Sequence, residues 1–98
     1  MGYEYKRDKI YFKSSAVANI SGSNLREGLG SRTICNIRDG KVREKNGSST
    51  VCNIRNGDVR MGLGSSRIAK IKDIRKQIKN SASLSDEFIA AIWFYFID

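Results

Sequence analysis

The sequence predicts an all-β fold of five short β-hairpin repeats, and three observations support that prediction. A stretch of 17 residues recurs, most clearly as residues 34–50 followed by 51–67. The dipeptides Asp39-Gly40 and Asn56-Gly57 favour two-residue hairpin turns, because Asp, Asn and Gly tolerate positive φ best. Apolar residues also align at the repeat period, so that successive hairpins can share one core.

The repeat register divides residues 1–80 into five units. The units run over about 3–16, 17–33, 34–50, 51–67 and 68–80, and residues 81–98 form a C-terminal tail. The first unit is shorter than the others between Ile10 and Val17, and the fifth lacks the turn glycine. One hairpin cannot bury its apolar residues alone, so the units are expected to form a linear stack or a closed flower-like ring. The ring is favoured because closure removes exposed strand edges.

Several sets of residues recur at one position of the repeat. The column Ile20, Ile37, Ile54 and Ile71 is expected to line the core, surrounded by Val17, Ile34, Val51 and Ile68 and by Leu25, Val42 and Val59. Cys35 and Cys52 occupy a position that is alanine in the flanking units, which predicts free, buried thiols rather than a disulfide. Asn19, Asn36 and Asn53 are expected to hydrogen-bond each other or the turn backbone.

The chain after the repeats departs from the pattern. Ile71, Ile74 and Ile78 lie at helical spacing among basic residues, which predicts a short amphipathic helix or turn. Ser85 is a good N-cap for a helix that begins after it. Residues 88–97 are apolar on all sides and should be mostly buried. Two alternatives stay open: a helix that caps the core or meets a second copy, and a strand over residues 93–97 that closes the ring.

The repeat unit Ile-Arg-Asp/Asn-Gly-x-Val-Arg-x-x-x-Gly-Ser resembles that of the five-fold β-flower proteins. These are small bacterial proteins in which repeated hairpins form petals around an axis. Ala90-Ala91, followed by the aromatic run at residues 93–96, is similar to the tail common in that family. The resemblance covers about residues 3–71 and 88–98. The sequence differs from the family pattern in residues 72–87, which look like an insertion, and in the missing secretory leader that many members carry. It implies a flower-like fold and no established activity.

The composition limits the chemistry of the chain. Lys and Arg number 18 against 10 Asp and Glu, and the formal net charge of +8 favours acidic partners. The chain has no histidine, so it lacks the usual general base and the commonest metal ligand. Two cysteines cannot complete a zinc site. The sequence therefore predicts a non-enzymatic protein with no cofactor, no metal and no catalytic residue.

Two sets of residues are not explained by the repeat fold. The basic columns are Arg26, Arg43 and Arg60 on the outgoing strands, and Arg38, Arg55 and Lys72 on the incoming ones. In a ring each column would form a circle of charge that could hold a phosphate, a carboxylate or a nucleotide. The alternative is a solvated face that pairs with Glu27, Glu44 and Asp58. The tail residues Phe88, Ile92, Trp93, Phe94, Tyr95 and Phe96 are candidates for an interface with a second copy.

These features lead to two hypotheses for the function. The first is a structural or interaction module that self-associates as a homo-oligomer. The alternative is a binder of an anionic ligand, either a nucleotide-like small molecule or a nucleic-acid backbone. The apolar run at residues 88–97 is too short to span a bilayer. The charged N-terminus predicts a cytoplasmic protein, or a secreted or periplasmic one if a leader has been removed.

Overall fold

Ten strands form one sheet in the computed structural model, which describes residues 2–97. The strands are β1 (Tyr3–Lys6), β2 (Lys9–Phe12), β3 (Ser15–Ser21), β4 (Asn24–Glu27), β5 (Thr33–Arg38), β6 (Lys41–Glu44), β7 (Thr50–Arg55), β8 (Asp58–Met61), β9 (Arg67–Lys70) and β10 (Ile78–Lys79). Two short helices are α1 (Ile71–Arg75) and α2 (Asp86–Ile92), and a π-helical turn (Trp93–Ile97) follows α2. Below, β1–β2, β3–β4, β5–β6 and β7–β8 are called hairpins 1 to 4.

The strands follow one another across the sheet. Strands β1 to β9 form an antiparallel meander, and β10 pairs in parallel with β1. The predicted hairpin sheet with a short C-terminal helix is therefore confirmed. A closed ring is not shown, because the chain passes from β9 to β10 through α1 and no ladder joins these two strands in the described residues.

The hairpin turns have the backbone geometry that their dipeptides predict. Asp39 and Gly40 have φ of 49° and 75°, and the Asn56-Gly57 turn has the same pattern. The N–H of Ile54 donates to the carbonyl of Gly40 at 2.7 Å. The same bond recurs at the repeat period, from Ile20 to Asp8, from Ile37 to Ser23 and from Ile71 to Gly57. Each turn is thus tied to the next unit.

Each repeat also contains a β-bulge that the sequence did not reveal. Leu25 pairs with Cys35 and Arg26 pairs with Thr33, so Ile34 is an extra residue in β5. The carbonyl of Ile34 accepts the N–H of Lys45 at 2.9 Å, which keeps its polar group satisfied. The equivalent extra residues are Val17, Val51 and Ile68. Because a bulge increases the local twist, curvature recurs along the sheet at the repeat period.

The sheet wraps around α2. Fully buried side chains on the strands are Ile10, Ala18, Leu25, Cys35, Val42, Cys52 and Val59, and on α2 they are Ile89, Ala90, Ala91 and Ile92. All of them belong to one hydrophobic cluster, and α2 packs on β5, β6 and β7. Since residues from β2 to β8 meet in that cluster, the sheet must be concave towards the helix.

The core is centred on a different column from the predicted one. Of the predicted column, Ile71 is buried, but Ile20, Ile37 and Ile54 are only half-buried. Two residues before these three isoleucines, Ala18, Cys35 and Cys52 are fully buried. Cys35 and Ile37 face the same side, but Ile37 lies beside the hairpin turn and Cys35 lies at mid-strand. Cys35 and Cys52 are free and buried, as predicted.

The tail begins as a helix, so the alternative of a strand over Trp93–Ile97 is wrong. The hydroxyl of Ser85 accepts the N–H of Phe88 at 3.3 Å, which confirms the predicted N-cap. The hydroxyl of Tyr3 donates to the carbonyl of Phe96 at 3.0 Å, so the tail reaches the first strand. None of the helices in residues 2–97 has the length and apolar character needed to cross a membrane.

Candidate anion-binding site

One arginine column lies on the outer face of the sheet, opposite a column of asparagines. Across the hairpins the pairs are Asn19 with Arg26, Asn36 with Arg43, and Asn53 with Arg60. Their strand neighbours Leu25, Val42 and Val59 point into the core. Because side chains alternate along a strand, the three arginines face away from α2.

The asparagines fold the glycine-rich connections back over this outer face. The amide of Asn36 donates to the carbonyls of Lys45 and Gly47 at 2.8 and 3.1 Å. Asn19 bonds Gly28 and Gly30 in the same way, and Asn53 bonds Gly62 and Gly64. This confirms the prediction that the asparagines bond the turn backbone. The loop tip Leu63 is 74% exposed and lies beside hairpin 3.

Three cations meet in one depression on hairpin 3. Arg38, Lys41 and Arg43, called the cationic cluster below, line a hollow of about 340 Å³ together with Asp39, Ser48, Thr50 and Leu63. Arg38 and Lys41 lie directly opposite each other in the ladder. Within residues 2–97 no carboxylate oxygen comes within 4.0 Å of the nitrogens of these three side chains. None of the three cations is in an ion pair, and with the carboxylate of Asp39 in the same lining the hollow has a net positive charge.

The turn of hairpin 3 is held by the tail. Glu87 lies in the first turn of α2, and its Oε2 accepts the N–H of Gly40 at 3.2 Å. Gly40 lies between Arg38 and Lys41 in sequence. The φ of 75° at this glycine disfavours any residue with a Cβ, which would lie 3.4 Å from the carbonyl oxygen of Ile54. The tail thus fixes the backbone from which two of the three cations extend.

Hairpin 4 has a carboxylate at the corresponding place. Its equivalents of the cluster are Arg55, Asp58 and Arg60. Asp58 Oδ2 lies 3.4 Å from Arg60 Nη2, and Asp58 Oδ1 lies 4.0 Å from Arg67 Nη1. The side chains of Arg60 and Asp58 are only 19% and 20% exposed, so this pair is partly shielded from solvent. Hairpin 3 therefore has a basic site without an ion pair, whereas Asp58 pairs with the arginines at the same place on hairpin 4.

The other basic column does not form a circle around a shared cavity. Arg38 lines a cleft of about 390 Å³ between hairpins 2 and 3, and Arg55 lines one of about 240 Å³ between hairpins 3 and 4. Lys72 lines a cleft of about 510 Å³ between hairpin 4 and α1. These residues thus occupy equivalent positions in separate clefts on the outside of the sheet.

Five residues of the site were not among the predicted ones. With the two predicted arginines, the hollow is lined by Asp39, Lys41, Ser48, Thr50 and Leu63. A comparison of the repeats could have found Lys41, because the same position is Asn24 in hairpin 2 and Asp58 in hairpin 4. Leu63 comes from the next repeat, and no local pattern places it there.

The predicted tail interface is partly internal. Ile92 is fully buried within the chain, so it is not available to a partner and that prediction is wrong. The remaining residues of the set are half-buried and pack against the core: Phe88, Trp93, Phe94, Tyr95 and Phe96. The rings of Phe94 and Tyr95 meet edge-on with centroids 5.2 Å apart.

The buried thiols are held protonated. Burial raises the pKa of Cys35 to about 12, with a further contribution from Cys52, and burial raises the pKa of Cys52 to about 11. The pKa of Tyr95 rises to about 12, first through burial and then through repulsion of its phenolate by the ionised forms of Cys35, Glu44 and Cys52. Residues 2–97 contain no group of three side chains suited to hold a metal ion. These thiols are therefore core residues rather than nucleophiles or ligands.

The thiols predict a loss of stability at alkaline pH. An unfolded thiol ionises near pH 8.5, whereas the folded ones stay neutral up to about pH 11 to 12. The free energy of unfolding should thus fall above pH 8.5, by up to about 1.4 kcal/mol per pH unit for each thiol. Urea unfolding from pH 7 to about pH 10 measures this slope. The C35A/C52A variant should flatten this pH dependence because it removes both thiols. Alanine is a suitable replacement because it fills the same position in β3 and β9. An unchanged slope would contradict the assignment.

No protein-family model, curated protein or solved structure matches the chain. The assignment of the site therefore depends on its geometry and on the differences between the repeats.

Proposed function

We propose that the protein is a non-enzymatic binding module that holds an anionic ligand at the cationic cluster. One observation carries this proposal: Arg38, Lys41 and Arg43 share a hollow without an ion pair, while Asp58 neutralises the same place on hairpin 4. Like charges in one hollow repel each other, and a bound anion removes that repulsion. The equivalent acid in hairpin 4 is an internal example of such an anion.

The lining of the hollow favours a phosphate or a carboxylate. Two guanidinium groups can each offer a planar pair of N–H donors, and the ammonium of Lys41 adds a third charge. The hydroxyls of Ser48 and Thr50 line the same hollow and can donate further hydrogen bonds. The hollow is open to solvent, and its volume of about 340 Å³ is large enough for a phosphate group.

We also propose that the five units form a β-flower and that the chain is a member of that family. The concave sheet around α2 supports this, as does the pairing of β10 with β1. The fifth unit would then contribute β9, α1 and β10 in place of a regular hairpin. Self-association through the half-exposed part of the tail stays a prediction.

The binding proposal is tested with pyrophosphate as the probe, by isothermal titration calorimetry at low salt. K41Q and R43Q should each raise the Kd roughly tenfold or more, because a hydrogen bond to a charged group contributes about 1.5–3 kcal/mol. The matched control is R26Q, which removes the arginine of the same column on hairpin 2. An equal loss in all three variants, or no loss in K41Q and R43Q, would contradict the proposal.

A further inference from the structure

The three clefts between units occupy the same place in the repeat. One wall of each cleft is a hairpin turn. The other wall is the incoming strand of the next unit in the first two clefts, and the end of β9 with α1 in the third. The paired walls are Ser23–Asn24 with 36–38, Gly40–Lys41 with 53–55, and Gly57–Asp58 with 70–72. Equivalent points are two strands apart, so the clefts follow one another at about 10 Å.

The cationic cluster joins the first two clefts. Its hollow shares Arg38 and Arg43 with the cleft between hairpins 2 and 3. It shares Lys41 and Leu63 with the cleft between hairpins 3 and 4. The third cleft lies on the far side of hairpin 4. The hollow and the three clefts are called the basic track below, and the track extends over about 20 Å across the outer face.

The track is rich in cations that lack an internal partner. Its basic residues are Arg38, Lys41, Arg43, Arg55, Arg67, Lys70, Lys72 and Arg75, and its acidic residues are Asp39 and Asp58. Arg67 faces Asp58 at 4.0 Å, and Arg75 bonds Asp86 at 2.9 Å. The other six have no carboxylate within 4.0 Å among residues 2–97. A small anion can reach one of these clefts at a time, whereas a chain of anions can reach all of them.

We infer that the basic track binds a flexible chain of phosphate groups, such as inorganic polyphosphate or the backbone of a single-stranded nucleic acid. This inference rests on the proposed function, because the cationic cluster lies at the centre of the track. The track follows a sheet that curves around α2, so a flexible chain can follow it where a rigid duplex cannot. None of the residues that line its four depressions is aromatic. A base therefore finds no stacking platform, and binding is independent of sequence.

The test compares pyrophosphate, inorganic polyphosphate, a single-stranded oligothymidylate of about twelve nucleotides and its duplex. The decisive variant is K70Q/K72Q, which changes only the third cleft, and K76Q is the control at the exposed residue that follows α1. K70Q/K72Q should weaken binding of the long single chains at least about fivefold and leave pyrophosphate unchanged. It should also reduce the slope of log K against log salt by roughly 0.7 for each lysine.

The outcomes separate the inference from the proposed function. The inference is supported if polyphosphate or the oligonucleotide binds more tightly than pyrophosphate and if that binding depends on Lys70 and Lys72. The chain that binds more tightly then identifies the kind of phosphate chain that the track binds. Equal Kd values for short and long chains, insensitivity to K70Q/K72Q, or tighter binding of the duplex would overturn it. Each of these results leaves the proposed function intact if pyrophosphate binding still depends on Lys41 and Arg43. Absence of pyrophosphate binding would overturn both.

Discussion

Replacing Ile92 by alanine is expected to lower the free energy of unfolding by about 3 kcal/mol, because a fully buried side chain would leave a cavity between α2 and the sheet. Ile92 belongs to the cluster that contains the central residues of seven strands. Its helix packs on β5, β6 and β7, so the cavity lies where hairpins 3 and 4 meet the tail. For a chain of this length, the melting temperature should fall by roughly 10–20 °C.

Thermal and urea unfolding of I92A measure this effect. The matched controls are L29A and L63A, which remove the same number of carbon atoms from side chains that are 72% and 74% exposed. These controls should change the free energy of unfolding by roughly 0.5 kcal/mol or less. A stability of I92A within that range would show that α2 does not fill the core.

Replacing Arg75 by alanine is expected to cost about 2–4 kcal/mol, because one guanidinium holds three acceptors. Its Nη1 donates to the carbonyl of Ser81, and its Nη2 donates to the carbonyl of Leu84 at 2.7 Å. Nη2 also bonds Asp86 Oδ1 at 2.9 Å. The arginine thereby joins α1 to the loop that precedes α2. Without it, two carbonyls of a partly buried loop lose their donors.

The same unfolding experiments test this role. R75K retains the positive charge but cannot reproduce the planar fork, so it should recover less than half of the loss. K76A changes the exposed residue that follows Arg75 at the end of α1 and should have little effect. If R75K were as stable as the unchanged protein, charge alone would account for the effect. If R75A were as stable, the three bonds would contribute nothing.

Local signals made the hairpins predictable. The Asp39-Gly40 turn needs positive φ at both residues, and few dipeptides allow it. Ser85 is a strong capping residue beside an apolar run, so the start of the tail helix could be predicted. Both features depend on residues close together in the sequence. The fifth unit escapes the pattern because Ile71 is not followed by a turn glycine, and the chain forms α1 instead.

Features that depend on neighbouring strands could not be read in the same way. Ile34 fits an apolar column in the sequence, but it is the extra residue of a bulge, and only the pairing of β4 with β5 reveals that. The arginine columns are visible at the repeat period, yet a column does not tell which cations share a hollow. Arg38 and Lys41 meet across a ladder, and Leu63 reaches them because Asn53 holds its loop.

The exchange of Lys41 and Asp58 should move the anion-binding site from hairpin 3 to hairpin 4, because these residues decide which hairpin has an uncompensated basic site. The measurement is a titration with pyrophosphate followed by backbone amide shifts in two-dimensional NMR. In the unchanged protein the shifts should concentrate in β5, β6 and Thr50. K41D should abolish them, D58K should add a second set in β7 and β8, and the double variant should show only the second set. Shifts that stay in the same place in all four proteins, or that spread evenly over the basic surface, would contradict the account.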